Sequence, residues 1–114
     1  MQIPKQAVLL RIFIGEDDKF GTSPLYEAIV LKARELHLAG ATVLRASMGF
    51  GKSSRLHTAK ILRLSDDLPL VVEIVDSEDN INRFLPALDQ MMTTSGLITL
   101  EKVQVLQYGE KTDR

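Results

Sequence analysis

The sequence predicts an α+β fold in which an antiparallel sheet carries two helices on one face. Apolar runs rich in β-branched residues alternate with segments of helical spacing, in the order strand, helix, strand, strand, helix, strand. No repeat, low-complexity tract or linker interrupts this order. Because crossovers between parallel strands are right-handed, both helices cover the same face. The pattern therefore predicts a split βαβ, ferredoxin-like arrangement (βαββαβ) in one domain, residues 1–114, with flexible termini at 1–6 and 109–114.

The first half of the chain predicts one strand and one helix. Residues 8–14 are apolar and rich in branched side chains, which favours a strand. Ser23 before Pro24 is a favourable helix start, because a serine side chain accepts from early N–H groups and proline tolerates the first helical position. The apolar spacing then predicts a helix to about Leu38, with Gly40 as its stop.

The second and third strands are predicted at residues 41–48 and 68–75, and the segment 58–67 between them has no clear pattern. Ser77 is the predicted N-cap of the second helix. Pro86 lies inside this helix and removes one hydrogen bond, which predicts a kink or an early end near Leu85.

The last strand is predicted at residues 97–108, and its apolar alternation changes phase within it. Ile98 and Leu100 have one parity, whereas Val103 and Val105 have the other. A β-bulge near Glu101-Lys102 would account for the change.

Composition excludes several classes of function. The chain contains no cysteine, which excludes disulfides, thiolate nucleophiles and cysteine-based zinc sites. A net charge of −1 gives no general attraction to nucleic acid. The apolar runs are far shorter than the ~20 residues that cross a bilayer, and the N-terminus lacks the pattern of a secretory signal, so we expect a cytoplasmic protein.

The predicted sheet is apolar on both faces, which predicts self-association. Residues 70–75 and the first strand place apolar side chains, including Leu9 and Phe13, on the face without helices. Fully burying each such side chain is worth ~1.5–3 kcal/mol, so several together favour a closed homo-oligomer built on that face.

A flexible, basic segment follows the second predicted strand. Two glycines flank an aromatic residue, so main-chain N–H groups can approach an anion closely, and basic side chains follow. A solvated hairpin loop is the alternative. The segment reads Met48, Gly49, Phe50, Gly51, Lys52, Ser53, Ser54, Arg55, Leu56, His57.

The chain resembles the uncharacterised PII-like proteins of bacteria and archaea over roughly residues 7–106. The resemblance rests on an acidic turn after the first strand and on the glycine-aromatic-glycine segment with its basic tail. The residues that carry it are Gly15-Glu16, Asp18-Lys19, Pro24-Leu25, Glu27, Glu35-Leu36, Gly40, Thr42-Val43, Arg45, Met48-Gly49-Phe50-Gly51, Arg55, His57, Asp67-Leu68-Pro69 and Glu73-Ile74-Val75-Asp76.

This resemblance implies homotrimers of ferredoxin-like subunits, with ligand clefts between neighbours and a mobile loop after the second strand. In the wider nitrogen-regulatory PII group, adenine nucleotides (AMP, ADP or ATP) bind there and the loop contacts a transporter or enzyme. This chain departs from that group in two ways. The loop contains no tyrosine that could be uridylylated, and residues 93–97 are not a glycine- and lysine-rich phosphate loop.

The site hypothesis assigns main-chain contacts to two glycines, packing to Phe50 and phosphate neutralisation to basic side chains. Phe50 could instead fill a subunit interface, and Arg45 could pair with Glu73 across strands. His57 is a lone imidazole, and the turn that follows the first strand could be only a turn. The candidates are Arg45, Met48, Gly49, Phe50, Gly51, Lys52, Arg55 and His57, with Glu16 and Lys19.

Three other functions compete with nucleotide binding. An acylphosphatase-type hydrolase shares the fold, but Asn80 and Asn82 lie in the second helix, away from any arginine-bearing loop. A metal site would have few ligands, and RNA binding would rest on Phe13 alone. We therefore predict a non-catalytic binding protein with no obligatory cofactor that transmits the state of an adenine nucleotide or similar anion to an unknown partner.

Overall fold

The structure, a computed structural model, describes residues 3–52, 55–58, 67–93 and 95–110. The predicted order of the six main elements is confirmed, and two short hairpins are added to it. In chain order the elements are β1 (Gln6–Gly15), β2 (Lys19–Phe20), β3 (Ser23–Pro24), α1 (Leu25–Glu35), β4 (Thr42–Arg45), β5 (Met48–Gly49), β6 (His57–Thr58), β7 (Pro69–Asp76), α2 (Glu78–Met91) and β8 (Leu97–Gln104).

Four strands form the main sheet, in the order β4-β7-β1-β8. All three neighbouring pairs are antiparallel, which confirms the ferredoxin-like α+β fold. We call the end where β1 stops at Gly15 and β7 begins at Pro69 the hairpin end. The tail end is the opposite one, where β1 begins and β8 stops at Gln104.

The core lies between the two helices and one face of the sheet, which we call the covered face. Alternate residues of β1 and β7 point into it, because successive side chains of a strand point to opposite faces. The helices contribute apolar residues at helical spacing. The largest fully buried side chains are Phe84, Leu10, Ile12, Ile29, Ile74, Ile81, Leu88, Val72 and Asp76.

Helix α1 begins and ends differently from the prediction. The prediction that Ser23 caps the helix is wrong. Ser23 and Pro24 form β3, which pairs with β2, and the helix begins at Leu25 without a side-chain cap. The helix also ends at Glu35, before Leu38. His37 adopts a left-handed conformation (φ 62°), so the chain turns three residues before the predicted stop.

Helix α2 has the predicted start and a later end. The Ser77 hydroxyl accepts from the Asn80 backbone N–H at 3.1 Å, which confirms the N-cap. The predicted early end is wrong, since the helix continues through Pro86 to Met91. Proline removes one hydrogen bond, whereas the apolar face of the helix remains buried against the sheet on both sides of it.

Strand β8 is shorter and more regular than predicted. It ends at Gln104, and its register with β1 is continuous, so the predicted bulge is wrong. Ile98 and Leu100 pair with Ile12 and Leu10 on the covered face, whereas Val103 lies on the opposite face. The apolar alternation changes phase because the apolar side chains move from one face of the regular strand to the other. Across the described ranges, no helix is long and apolar enough to cross a lipid bilayer.

Candidate functional site

The glycine-aromatic-glycine segment leaves the sheet at the hairpin end as the hairpin β5–β6. Met48 lies opposite Thr58, and Gly49 lies opposite His57. A Cβ atom on Gly49 would lie 3.0 Å from Cγ of Pro69, so this position favours glycine because of a close approach. The predicted second strand is therefore divided, with β4 in the main sheet and β5 in the hairpin.

Arg45 and Glu16 form an ion pair at the base of this hairpin. Arg45 is the last residue of β4, and Glu16 follows β1, whose neighbour in the sheet is β7. The Glu16 backbone N–H donates to the carbonyl of Leu68 at 2.8 Å, which fixes the acidic side of the pair. The alternative pairing of Arg45 with Glu73 is wrong, because Glu73 instead accepts from Arg11.

The remaining candidates are distributed along the exposed hairpin and the turn before α1. Phe50 is 69% exposed, and Met48 is half-exposed. Gly51, Lys52 and Arg55 are exposed as well, whereas Lys19 lies in β2 opposite Pro24. The structure thus brings Arg45 and Glu16 into direct contact. Ser53, Ser54 and most of the unassigned segment 58–67 lie outside the described residues.

The acidic turn after β1 is a structural feature. Asp67 accepts from the Asp17 backbone N–H at 2.7 Å, and Asp18 accepts from the Gly15 N–H at 2.9 Å. A Cβ atom on Gly15 would lie 2.6 Å from an Asp67 oxygen. These contacts join the turn to the start of β7 and hold Glu16 beside the hairpin.

The face of the sheet without helices, the open face, carries a charged cluster with apolar residues around it. Arg11 donates to Glu73 at 2.8 Å and to Glu101 at 3.2 Å. The hydrogen bond to Glu73 is the largest effect on the Arg11 guanidinium and raises its pKa. Desolvation, the next largest effect, opposes this rise, and the attraction of Glu73 and then of Glu101 adds to it. The large apolar side chains that remain exposed on this face are Phe13, Leu44 and Leu97.

Sequence reasoning missed two features at the tail end. Asp76 is fully buried and accepts from three donors: the Ala39 N–H at 2.9 Å, the Ser77 N–H at 2.6 Å and the Asn80 side-chain amide at 3.0 Å. The one signal in the sequence that could have indicated this role is the position of Asp76, between a buried strand and the N-cap residue Ser77. A groove of about 610 Å³ lies nearby, lined by Glu73 and Val75 of the sheet and by residues of the C-terminal segment.

Helix α2 carries Asn80, one of the two asparagines considered for an acylphosphatase-type site. Arg83 contacts Asn80, but both lie on the surface of α2, and the Asn80 amide already donates to Asp76. Within the described parts of the chain, no three histidine, aspartate or glutamate side chains are grouped as metal ligands.

The fold is that of PII-like proteins. The chain is similar to CPII, a nitrogen regulatory PII-like protein from Thiomonas intermedia K12 solved with ADP, AMP and bicarbonate (TM-score 0.69, 15% identity, 90% of each chain covered). It is also similar to a PII-like signalling protein from Thermus thermophilus (TM-score 0.64, 20% identity), with 91% of this chain and 93% of that one covered. At these identities the likeness defines the fold.

The chain belongs to the DUF190 family, described as "uncharacterized ACR", whose model matches residues 7–105. A UPF0166 protein of Aquifex aeolicus is 45% identical over 98 residues, covering 86% of this chain and 91% of the relative. A UPF0166 protein of Methanocaldococcus jannaschii is 36% identical over 100 residues, covering 88% and 92%. These matches confirm the resemblance to uncharacterised PII-like proteins.

Proposed function

We propose that the chain is a non-catalytic PII-like signalling protein that binds an adenine nucleotide or a similar anion. The ligand lies in clefts between the subunits of a homotrimer, and the hairpin after β4 transmits its presence to a partner, either an enzyme or a membrane transporter. The observation that carries this proposal is the Arg45–Glu16 ion pair at the base of an exposed hairpin. CPII, which shares the fold, binds ADP and AMP, and this supports the ligand class.

The ion pair gives the proposed site a simple chemistry. Arginine presents a planar set of donors that suits phosphate oxygens, and charge-assisted hydrogen bonds are the strongest of this kind. An arriving phosphate competes with the Glu16 carboxylate for Arg45, while Lys52 adds positive charge from the hairpin. Phe50, 69% exposed, offers an aromatic face to a base or to a neighbouring subunit.

The same competition provides a route for signalling. When phosphate takes Arg45, Glu16 loses its cation and the base of the hairpin loses one of its contacts. The hairpin therefore has different energies in the free and bound states, which is what a ligand needs in order to shift a conformational equilibrium. A partner that recognises one arrangement of the hairpin would respond to the nucleotide.

The open face provides the surface for assembly. Phe13, Leu44 and Leu97 are between 37% and 56% exposed, so covering each contributes about 1 kcal/mol per subunit. Arg11 and its two carboxylate partners occupy the middle of this face already paired, which limits the cost of removing them from water.

Isothermal titration with AMP, ADP and ATP tests the proposal. We expect heat of binding for at least one nucleotide, and a loss of about 10- to 100-fold in affinity for Arg45→Ala, because a hydrogen bond to a charged group contributes about 1.5–3 kcal/mol. Arg34→Ala, which removes an exposed arginine from the last turn of α1, is the matched control and should bind as the unchanged protein does. Neither heat nor a thermal shift at millimolar nucleotide would refute the proposal.

A further inference from the structure

The acidic turn, residues 15–18, is attached to the start of β7 by two neighbouring hydrogen bonds. The Glu16 N–H donates to the Leu68 carbonyl at 2.8 Å, and the Asp17 N–H donates to the Asp67 carboxylate at 2.7 Å. Because consecutive donors meet consecutive residues, the two bonds fix the orientation of the turn as well as its place. Leu68 contributes through its backbone, so Asp67 is the side chain on which this attachment depends.

The Asp67 carboxylate lies directly over Gly15. A Cβ atom on Gly15 would lie 2.6 Å from one Asp67 oxygen and 2.8 Å from the other, far closer than the roughly 3.5–4 Å at which non-bonded atoms pack. The carboxylate reaches the Asp17 N–H because residue 15 has no side chain. Gly15 and Asp67 therefore act together in holding the turn.

This attachment strengthens the ion pair between Glu16 and Arg45. The Arg45 side chain is 61% exposed and that of Glu16 is 23% exposed. Exposed ion pairs contribute little, in part because pairing must immobilise two long side chains. Here the backbone of Glu16 is already held, so pairing costs less conformational entropy. The acidic side of the pair is presented to Arg45 by the turn.

A stronger internal pair weakens binding of the proposed ligand. Phosphate and the Glu16 carboxylate compete for the donors of Arg45, so a protein molecule with the pair closed is not ready to bind. The apparent affinity for a ligand falls in proportion to the fraction of molecules that are ready. Whatever holds Glu16 in place therefore sets the ligand concentration at which half of the sites are filled.

We propose that Asp67 is a positioning residue that keeps Glu16 on Arg45 and thereby sets the nucleotide concentration to which the protein responds. This inference rests on the proposed function and assigns a regulatory contact to the same site. Asp67 acts through the Asp17 N–H, one residue from Glu16. Because an exposed ion pair changes an equilibrium by up to about fivefold, loss of this contact should tighten binding by about two- to fivefold.

Isothermal titration with ADP as the probe tests this role. We expect both Asp67→Ala and Glu16→Gln to bind ADP about two- to fivefold more tightly than the unchanged protein. The double variant should bind no more tightly than Glu16→Gln alone, because no carboxylate is left for Asp67 to position. Multiplying effects of the two changes would show that they act independently and would overturn the inference.

Two variants separate positioning from a general effect of charge on an anion. Asp67→Asn removes the charge but keeps an oxygen that accepts from the Asp17 N–H, so it should bind ADP within twofold of the unchanged protein. Asp17→Ala removes an exposed carboxylate from the same turn and leaves its N–H in place, so it should tighten binding less than Asp67→Ala does. Equal tightening in Asp67→Asn, Asp17→Ala and Asp67→Ala would overturn the inference.

Gly15→Ala tests the same contact without any change in charge. The new methyl group displaces the Asp67 carboxylate from the Asp17 N–H, so this variant should bind ADP about as tightly as Asp67→Ala. Gly40→Ala is the matched control, since a Cβ atom there would have no atom within 4 Å. Binding by Gly15→Ala equal to that of Gly40→Ala would contradict the role of Asp67.

A measurement without ligand separates this inference from the proposed function. In urea unfolding at one protein concentration, Arg45→Ala should destabilise the Asp67→Ala variant less than half as much as it destabilises the unchanged protein. Equal losses in the two backgrounds refute the positioning role, even where ADP binds. If no nucleotide binds the unchanged protein, the proposed function is refuted, whereas this comparison still decides whether Asp67 holds Glu16 on Arg45.

Discussion

Replacing Asp76 should destabilise the protein far more than replacing a carboxylate on its surface. The side chain is fully buried and accepts three hydrogen bonds, from Ala39, Ser77 and Asn80. Each is worth about 1 kcal/mol, so Asp76→Ala should lower the free energy of unfolding by about 3 kcal/mol. Asp76→Asn should lower it by about 2 kcal/mol, because one oxygen survives while the new amide group meets the Ala39 N–H donor to donor.

Urea unfolding followed by far-UV circular dichroism measures these losses. All variants are compared at one protein concentration, because assembly makes apparent stability depend on it. Asp79→Asn is the matched control: Asp79 is exposed in the first turn of α2, and its loss should cost less than about 1 kcal/mol. If Asp76→Asn unfolds within about 0.5 kcal/mol of the unchanged protein, the three hydrogen bonds do not hold the tail end as described.

Two further changes test the core and the end of α1. Phe84→Ala should lower the free energy of unfolding, measured in urea, by about 3–5 kcal/mol, because the side chain is fully buried. Phe50→Ala, at the exposed hairpin, should lower it by less than about 0.5 kcal/mol. Similar losses for the two variants would contradict the assigned core. His37→Gly should raise the melting temperature, and it should raise the free energy of unfolding by up to about 1 kcal/mol, since His37 has φ 62°. Arg34→Gly, inside the helix, should lower the free energy of unfolding by a similar amount. A loss of stability in His37→Gly would show that the turn does not need a left-handed residue.

The main elements could be predicted from the sequence because their signals are local and periodic. The alternation in β7 and the helical spacing around Phe84 each determine which side chains are buried. Element order then restricts the topology, since right-handed crossovers leave few arrangements of four strands and two helices.

The errors occur where a tertiary contact outweighs a local preference. Ser23 has the right chemistry for a cap, but pairing between β2 and β3 places it in a strand. Pro86 disfavours a helix locally, but the buried residues on either side of it keep the helix continuous. In β8, the apolar side chains change faces while the strand remains regular, which a pattern of alternation cannot distinguish from a bulge.

The residues of the candidate site could be named from the sequence, but their contacts could be predicted only in part. Arg45 and Glu16 were both named, but their contact joins positions 29 residues apart and depends on how the sheet orders its strands. Glu73 was assigned to the wrong arginine for the same reason. Asp76 was missed because a single buried acid carries no periodic signal.

The mass in solution tests the central claim most directly, because the proposed ligand clefts require neighbouring subunits. Sedimentation equilibrium at micromolar concentration should give about 38 kDa, three times the 12.7 kDa of one chain. A single species of 12.7 kDa under the same conditions would contradict the account.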